Sequence, residues 1–133
     1  MHVTGKCHCG HISYEADLDP GLVAICHCTD CQMLSGSPYR VSVRVPKAHF
    51  RLLSGIPQIY IKTAESGSKR AHSFCPNCGT PVYSSDVSNP QSFSLRIGCL
   101  DKRDLLTPQK QIWHKSSLPW SGELASIPMF SKQ

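Results

Sequence analysis

The chain has 133 residues, a formal charge of +5, and 40% hydrophobic and 17% charged side chains. That suits one folded domain with one core and excludes a disordered chain. No apolar run approaches the ~20 residues of a membrane-spanning helix, and residues 1–6 hold no apolar stretch of an export signal, so a cytoplasmic protein without a membrane partner is expected. The basic residues are dispersed, with only Lys69-Arg70 and Lys102-Arg103 adjacent. No stripe that would follow a phosphate backbone is visible, and no nucleic-acid partner is expected.

Residues 2–6 and 11–17 read as a hairpin, because Ile12, Tyr14 and Ala16 alternate with polar residues. Its turn is Lys6-Cys7-His8-Cys9-Gly10, with Gly10 free to take a positive φ. Asp19-Pro20-Gly21 is a turn, and the apolar run 22–25 is a short strand that delivers Cys26 to its end. A helical turn is expected from Cys28 to Leu34, capped by Thr29 or Asp30 and stopped by Ser35-Gly36-Ser37-Pro38. Strands follow at 39–45, 49–53 and 57–63, where Val41, Val43 and Val45, then Ile59 and Ile61, alternate with polar neighbours. After a polar loop at 65–68, residues 69–74 lead into Cys75-Pro76-Asn77-Cys78-Gly79, and strands are expected at 80–84 and 93–99. The tail, with Trp113, Trp120 and Phe130 among prolines, reads as a loop-rich segment packed on the sheet. The expectation is a mainly β single domain over 1–133.

Eight cysteines need a reason. Seven fall into tight groups, Cys7/Cys9, Cys26/Cys28/Cys31 and Cys75/Cys78, with Cys99 alone. In a reducing compartment such groups are more often metal sites than disulfides. Cys7, Cys9, Cys75 and Cys78 supply the four thiolates of a closed structural zinc site, tying the first turn to one more than half the chain away. Cys26, Cys28 and Cys31 supply three. With three protein ligands zinc keeps a position for water or substrate, the pattern of a catalytic metal. Three thiolates make it a weak Lewis acid for water and suit it to a soft ligand, an incoming thiol. Cys99, His8, His27, His49, His72 or His114 could instead fill the fourth position and make this zinc structural too. Seven thiolates holding two zinc ions would also lower the net charge from +5 to +2.

Lys6-Cys7-His8-Cys9-Gly10, Cys26-His27-Cys28-Thr29-Asp30-Cys31-Gln32 and Ser73-Phe74-Cys75-Pro76-Asn77-Cys78-Gly79-Thr80 resemble the glutathione-dependent formaldehyde-activating enzyme (GFA) family, the centromere protein V/GFA-type zinc domain. Phe50, Leu53-Ser54-Gly55, Tyr60, Gly98 with Leu100-Asp101, and Trp120 continue the match. The resemblance implies a zinc-stabilised β-tent fold. It implies structural zinc on Cys7, Cys9, Cys75 and Cys78, and a second, labile, catalytic-type zinc on Cys26, Cys28 and Cys31. The implied activity is that of a carbon–sulfur lyase, an S-(hydroxymethyl)glutathione synthase joining formaldehyde to glutathione. No catalytic residue is assigned. His27 or Asp30 could move a proton by adjacency, and Arg40, Arg44, Lys69 or Arg70 could meet the substrate's carboxylates. Two competitors are a non-catalytic zinc-stabilised binding module and a thiol-redox enzyme using Cys99.

Overall fold

The computed structural model describes residues 1–133. Its strands are β1 (His2–Lys6), β2 (Ser13–Asp17), β3 (Val23–Cys26), β4 (Arg40–Pro46), β5 (Phe50–Ser54), β6 (Gln58–Thr63), β7 (Lys69–Phe74), β8 (Pro81–Asp86), β9 (Ser92–Arg96) and β10 (Lys110–Ile112). One helix, α1 (Thr29–Ser35), follows β3. The strands form two sheets, a three-stranded one in the order β1-β2-β5 and a seven-stranded one in the order β10-β3-β4-β9-β8-β7-β6. The fold is mainly β, a single small domain, as expected.

The core lies between the two sheets. Val3, Tyr14 and Ala16 come from the smaller sheet, and Val23, Val43, Val45, Tyr83 and Leu95 from the larger. Each fully buried apolar side chain of this size contributes about 1.5–3 kcal/mol. Phe50 carries the smaller sheet onto the larger, stacking on Phe93 at 4.6 Å between centroids and meeting Tyr83 edge-on at 5.1 Å. Cys7 and Cys75, at 1% and 0% exposure, are members of the same core.

The two-residue period of β4 fixes what the other face of the large sheet carries. Val43 and Val45 point into the core, so Arg40, Ser42 and Arg44 take the opposite face. Pairing extends that face sideways. Ser42 lies opposite Arg96, Arg44 opposite Ser94, Ser84 opposite Ser94, and His72 opposite Ser84. Cys26 lies opposite Arg40, at the edge of this polar face.

Three expectations are corrected. The strand expected at 93–99 ends at Arg96, and Ile97–Cys99 is a 3-10 turn. The tail is not simply packed on the sheet: β10 joins it by pairing parallel to β3, while Trp113, Trp120 and Phe130 are 50%, 51% and 81% exposed. Ile59 and Ile61 alternate as read, yet both are half exposed, because β6 is the sheet's last strand and no element covers it.

Candidate metal centres and the cleft beside them

Two groups of sulfurs could each hold a metal ion: Cys7, Cys9, Cys75 and Cys78, and Cys26, Cys28 and Cys31, with the sulfurs of each group within 4.8 Å of one another. The structure thus brings together every cysteine grouped from spacing.

Each half of the first group is a tight turn closed by its own backbone. Gly10 N–H donates to Cys7 O (3.1 Å) and Cys7 N–H to Ile12 O (3.0 Å). Gly79 N–H donates to Cys75 O (2.9 Å) and Cys75 N–H to Thr80 O (3.0 Å). Both turns need a residue at positive φ, and Gly10 (+82°) and Gly79 (+77°) supply it. Amides then point at sulfur, Ile12 N–H at Cys7 Sγ (3.3 Å) and Asn77 N–H at Cys75 Sγ (3.4 Å). His8 N–H donates to Thr80 Oγ1 (3.1 Å), joining the turns directly.

The spacing of these sulfurs suits a tetrahedral ion. Metal–sulfur bonds of about 2.3 Å put tetrahedral sulfurs about 3.8 Å apart; Cys9 Sγ lies 3.7 Å from both Cys7 Sγ and Cys75 Sγ. Two of the thiols are held toward the ionised form a metal ligand takes, whereas Cys9 rises to about 11, the His11 amide being outweighed by burial and the neighbouring thiols. The Thr80 hydroxyl, then backbone amides, hold Cys78 down to about 5. Burial opposes ionisation of Cys7, but the Ile12 amide and the neighbouring thiols outweigh it.

The second group is built where β3 passes into α1. Cys26 ends the strand, Cys28 is the helix N-cap with its Sγ accepting Cys31 N–H (3.3 Å), and Cys31 sits in the first turn. Cys28 takes the capping role expected of Thr29 or Asp30. Gln32 braces the junction, its Nε2 donating to His27 O (2.9 Å) and Ser116 O (3.0 Å). Arg40 Nη2 donates to Cys31 Sγ at 3.0 Å. Contact with the Cys31 thiol lowers Cys26, and the same contact, then burial, raises Cys31. The pair therefore favours one proton between them, whose place a cation could take.

No fourth cysteine, histidine or carboxylate joins this group. Cys99 is half-buried elsewhere, its thiol donating to Pro81 O (3.3 Å), and burial pushes it up to about 11, so it stays protonated. His27 is turned away from the sulfurs, with Nε2 2.7 Å from Gln111 Oε1 and its ring against Tyr39 and His114. Asp30 is paired with Lys62 at 2.9 Å. Neither is set up to move a proton at the cluster.

Cys26 and Cys31 form part of the wall of a cleft of about 340 Å³ on the polar face of the large sheet. Six of the chain's 14 lysines and arginines line it: Arg40, Arg44, Lys62, Arg70, Arg96 and Lys110. None of the nine acidic residues does. Three of the four cations singled out from sequence are here. Lys69, the fourth, is exposed outside the cleft. Lys62, Arg96 and Lys110 were not legible as site residues, and His72, read only as a possible fourth zinc ligand, lies in the cleft wall instead; one signal was available, since the Arg-x-Ser-x-Arg of β4 and the Ser-x-Arg of β9 each put polar groups on the face opposite a buried apolar row.

No helix is long and apolar enough to cross a membrane. Residues 2–116 match the family described as glutathione-dependent formaldehyde-activating enzyme. A crystal structure of a Rhodobacter sphaeroides protein is similar in fold, with a TM-score of 0.62 and 21% identity over 81% of this chain and 98% of that one. From the match over residues 2–116, the chain belongs to the glutathione-dependent formaldehyde-activating enzyme family.

Proposed function

We propose that the protein is a cytoplasmic, zinc-dependent carbon–sulfur lyase of the S-(hydroxymethyl)glutathione synthase type, joining a thiol such as glutathione to formaldehyde or a related aldehyde. Cys7, Cys9, Cys75 and Cys78 would hold a structural zinc, and Cys26, Cys28 and Cys31 a second, catalytic one. One observation carries the reading: the second group has three sulfurs rather than four and opens on a cationic cleft. A purely structural site needs neither feature.

Bound there, zinc would supply a soft Lewis-acidic centre that holds a thiol's sulfur as thiolate. The chain's own residues do the rest. Arg40 spreads positive charge onto Cys31 and keeps the three-thiolate group from repelling an anionic substrate. The cleft's cations draw in and orient a negatively charged thiol, so its meeting with a small aldehyde becomes effectively intramolecular. The reaction is an addition without redox change. A carbon–sulfur bond forms at the carbonyl carbon, the carbonyl π bond opens, and the thiol's proton ends on the new hydroxyl.

The test is NMR exchange spectroscopy on glutathione with carbon-13 formaldehyde. The metal-loaded protein should speed interconversion of free and hydroxymethylated thiol, and Cys31→Ser should abolish that while keeping the first metal. Two bound zinc ions with no acceleration for any thiol would leave the protein a zinc-stabilised binding module.

A further inference from the structure

Around the cleft, two cations have a carboxylate partner, Lys62 with Asp30 (2.9 Å) and Arg70 with Asp86 (2.8 Å), and Arg40 donates to the Cys31 sulfur (3.0 Å), a ligand that would be a thiolate under a metal. Arg44, Arg96 and Lys110 have neither. Arg96 is the telling case. It is only 7% exposed, and its contacts are neutral, Nη1 donating to Ser42 Oγ (2.9 Å) and Nη2 lying 3.4 Å from His72 Nδ1. Its Nε is buried with no partner. A buried charge left without a counter-ion is strongly unfavourable and is ordinarily paired.

His72 repeats the pattern. It is 9% exposed, and with Nδ1 facing a guanidinium that can only donate, its proton sits on Nε2. That Nε2 is also buried without a partner. Both unsatisfied groups on this face are therefore donors. Ser84 and Ser94 add hydroxyls between the cationic strands. Donors come from several strands, β4, β7, β8, β9 and β10, and at its middle Arg96 touches both Ser42 and His72, so a ligand there meets donors from more than one strand rather than the single flat fork that fits a carboxylate.

Resting on the reading of the second cluster as a thiol site, we propose that this sheet face is an anion subsite organised by Arg96 and His72 for a doubly charged tetrahedral group, so that the preferred thiol carries a phosphate ester and is more acidic than glutathione. Glutathione brings an ammonium group, and no acidic residue lines the cleft to receive it. A phosphate entering the cleft would find in its wall three cations without a carboxylate or sulfur partner and the hydroxyls of Ser42, Ser84 and Ser94. Burial, then Arg40 nearby, pulls the Arg96 guanidinium down to about 9, the mark of a charge that lacks its counter-ion.

The test is calorimetric titration of metal-loaded protein with inorganic phosphate, and separately with succinate. It is repeated in Arg44→Gln and Lys110→Gln, both of exposed residues, and in Cys28→Ser, which disturbs the second metal but not the cleft wall. Expected is one phosphate per chain, bound more tightly than succinate, weakened about tenfold by each charge removal and retained in Cys28→Ser. Tighter succinate binding would overturn the phosphate assignment. No saturable phosphate binding, binding indifferent to both charge variants, or binding lost in Cys28→Ser would overturn the subsite. Because the readout is anion binding, it fails independently of the lyase reading: phosphate bound without thiol–aldehyde turnover sinks the reaction and spares the subsite, and the reverse result does the opposite.

Discussion

Replacing Cys9 and Cys78 together with serine should cost far more stability than replacing Cys28. Both sites use sulfur, but they close very different loops. Cys9 and Cys75 are 66 residues apart, so a metal between their turns cross-links the domain. The chain-entropy relation for a cross-link of that span gives about 4 kcal/mol. That is a large part of the ~5–15 kcal/mol stabilising a typical domain. At roughly 3–5 °C per kcal/mol for a chain of this size, the midpoint should fall by about 12–20 °C. Cys9 and Cys78 are exposed, so their replacement leaves no core cavity to confuse the result. Cys26, Cys28 and Cys31 lie within one short segment that β3 and α1 already hold in place. Serine at 28 also keeps a side chain that caps the helix, as the Cys28 sulfur now does. Its midpoint should drop by less than about 5 °C. The assay is thermal melting followed by circular dichroism, with bound metal counted on the same samples. Equal losses, or a double variant that melts with the parent, would refute the claim that the first centre clamps the fold.

Tyr14 is fully buried and its hydroxyl has no partner; Tyr14→Phe should therefore raise stability by about 1 kcal/mol, and a lower melting midpoint would mean the hydroxyl is satisfied after all. Cys99→Ser should keep two metal ions per chain and leave turnover within about twofold, since its thiol bonds Pro81 O and lies outside the second group; losing one ion would make Cys99 a ligand. Burial, then Arg40 and Arg96, lower His72 to about 4. A histidine lowered this way contributes its stability fully above its unfolded value near 6.5 and loses it as the pH falls toward 4, at most about 3 kcal/mol. Ring NMR should show a midpoint near 4, and one near 6.5 would contradict the buried setting.

The cysteine groups and most strands were legible in the sequence because their signals are local. A Cys-x-x-Cys-Gly turn carries its own geometry, and Val41-x-Val43-x-Val45 declares a buried face by its period. The cleft was hidden for the opposite reason. Arg40, Lys62, Arg70, Arg96 and Lys110 are far apart in the chain and meet only through the order β10-β3-β4-β9-β8-β7-β6. Periodicity shows that a strand has a polar face but not which other polar faces lie beside it. β10 was missed because three residues of parallel edge strand carry almost no pattern. The exposure of Ile59 and Ile61 was not legible, because alternation does not reveal whether a strand lies at an uncovered edge.

X-ray absorption at the zinc edge tests the central claim most directly, on protein loaded with two zinc ions and measured before and after a thiol substrate is added. Four sulfurs at one centre and three at the other average about 3.5 per zinc, and a thiol bound at the second centre would bring the average to about 4. The account predicts that rise, with no change when an alcohol replaces the thiol. An average of four before any thiol is added, or one that stays fixed afterwards, would contradict it.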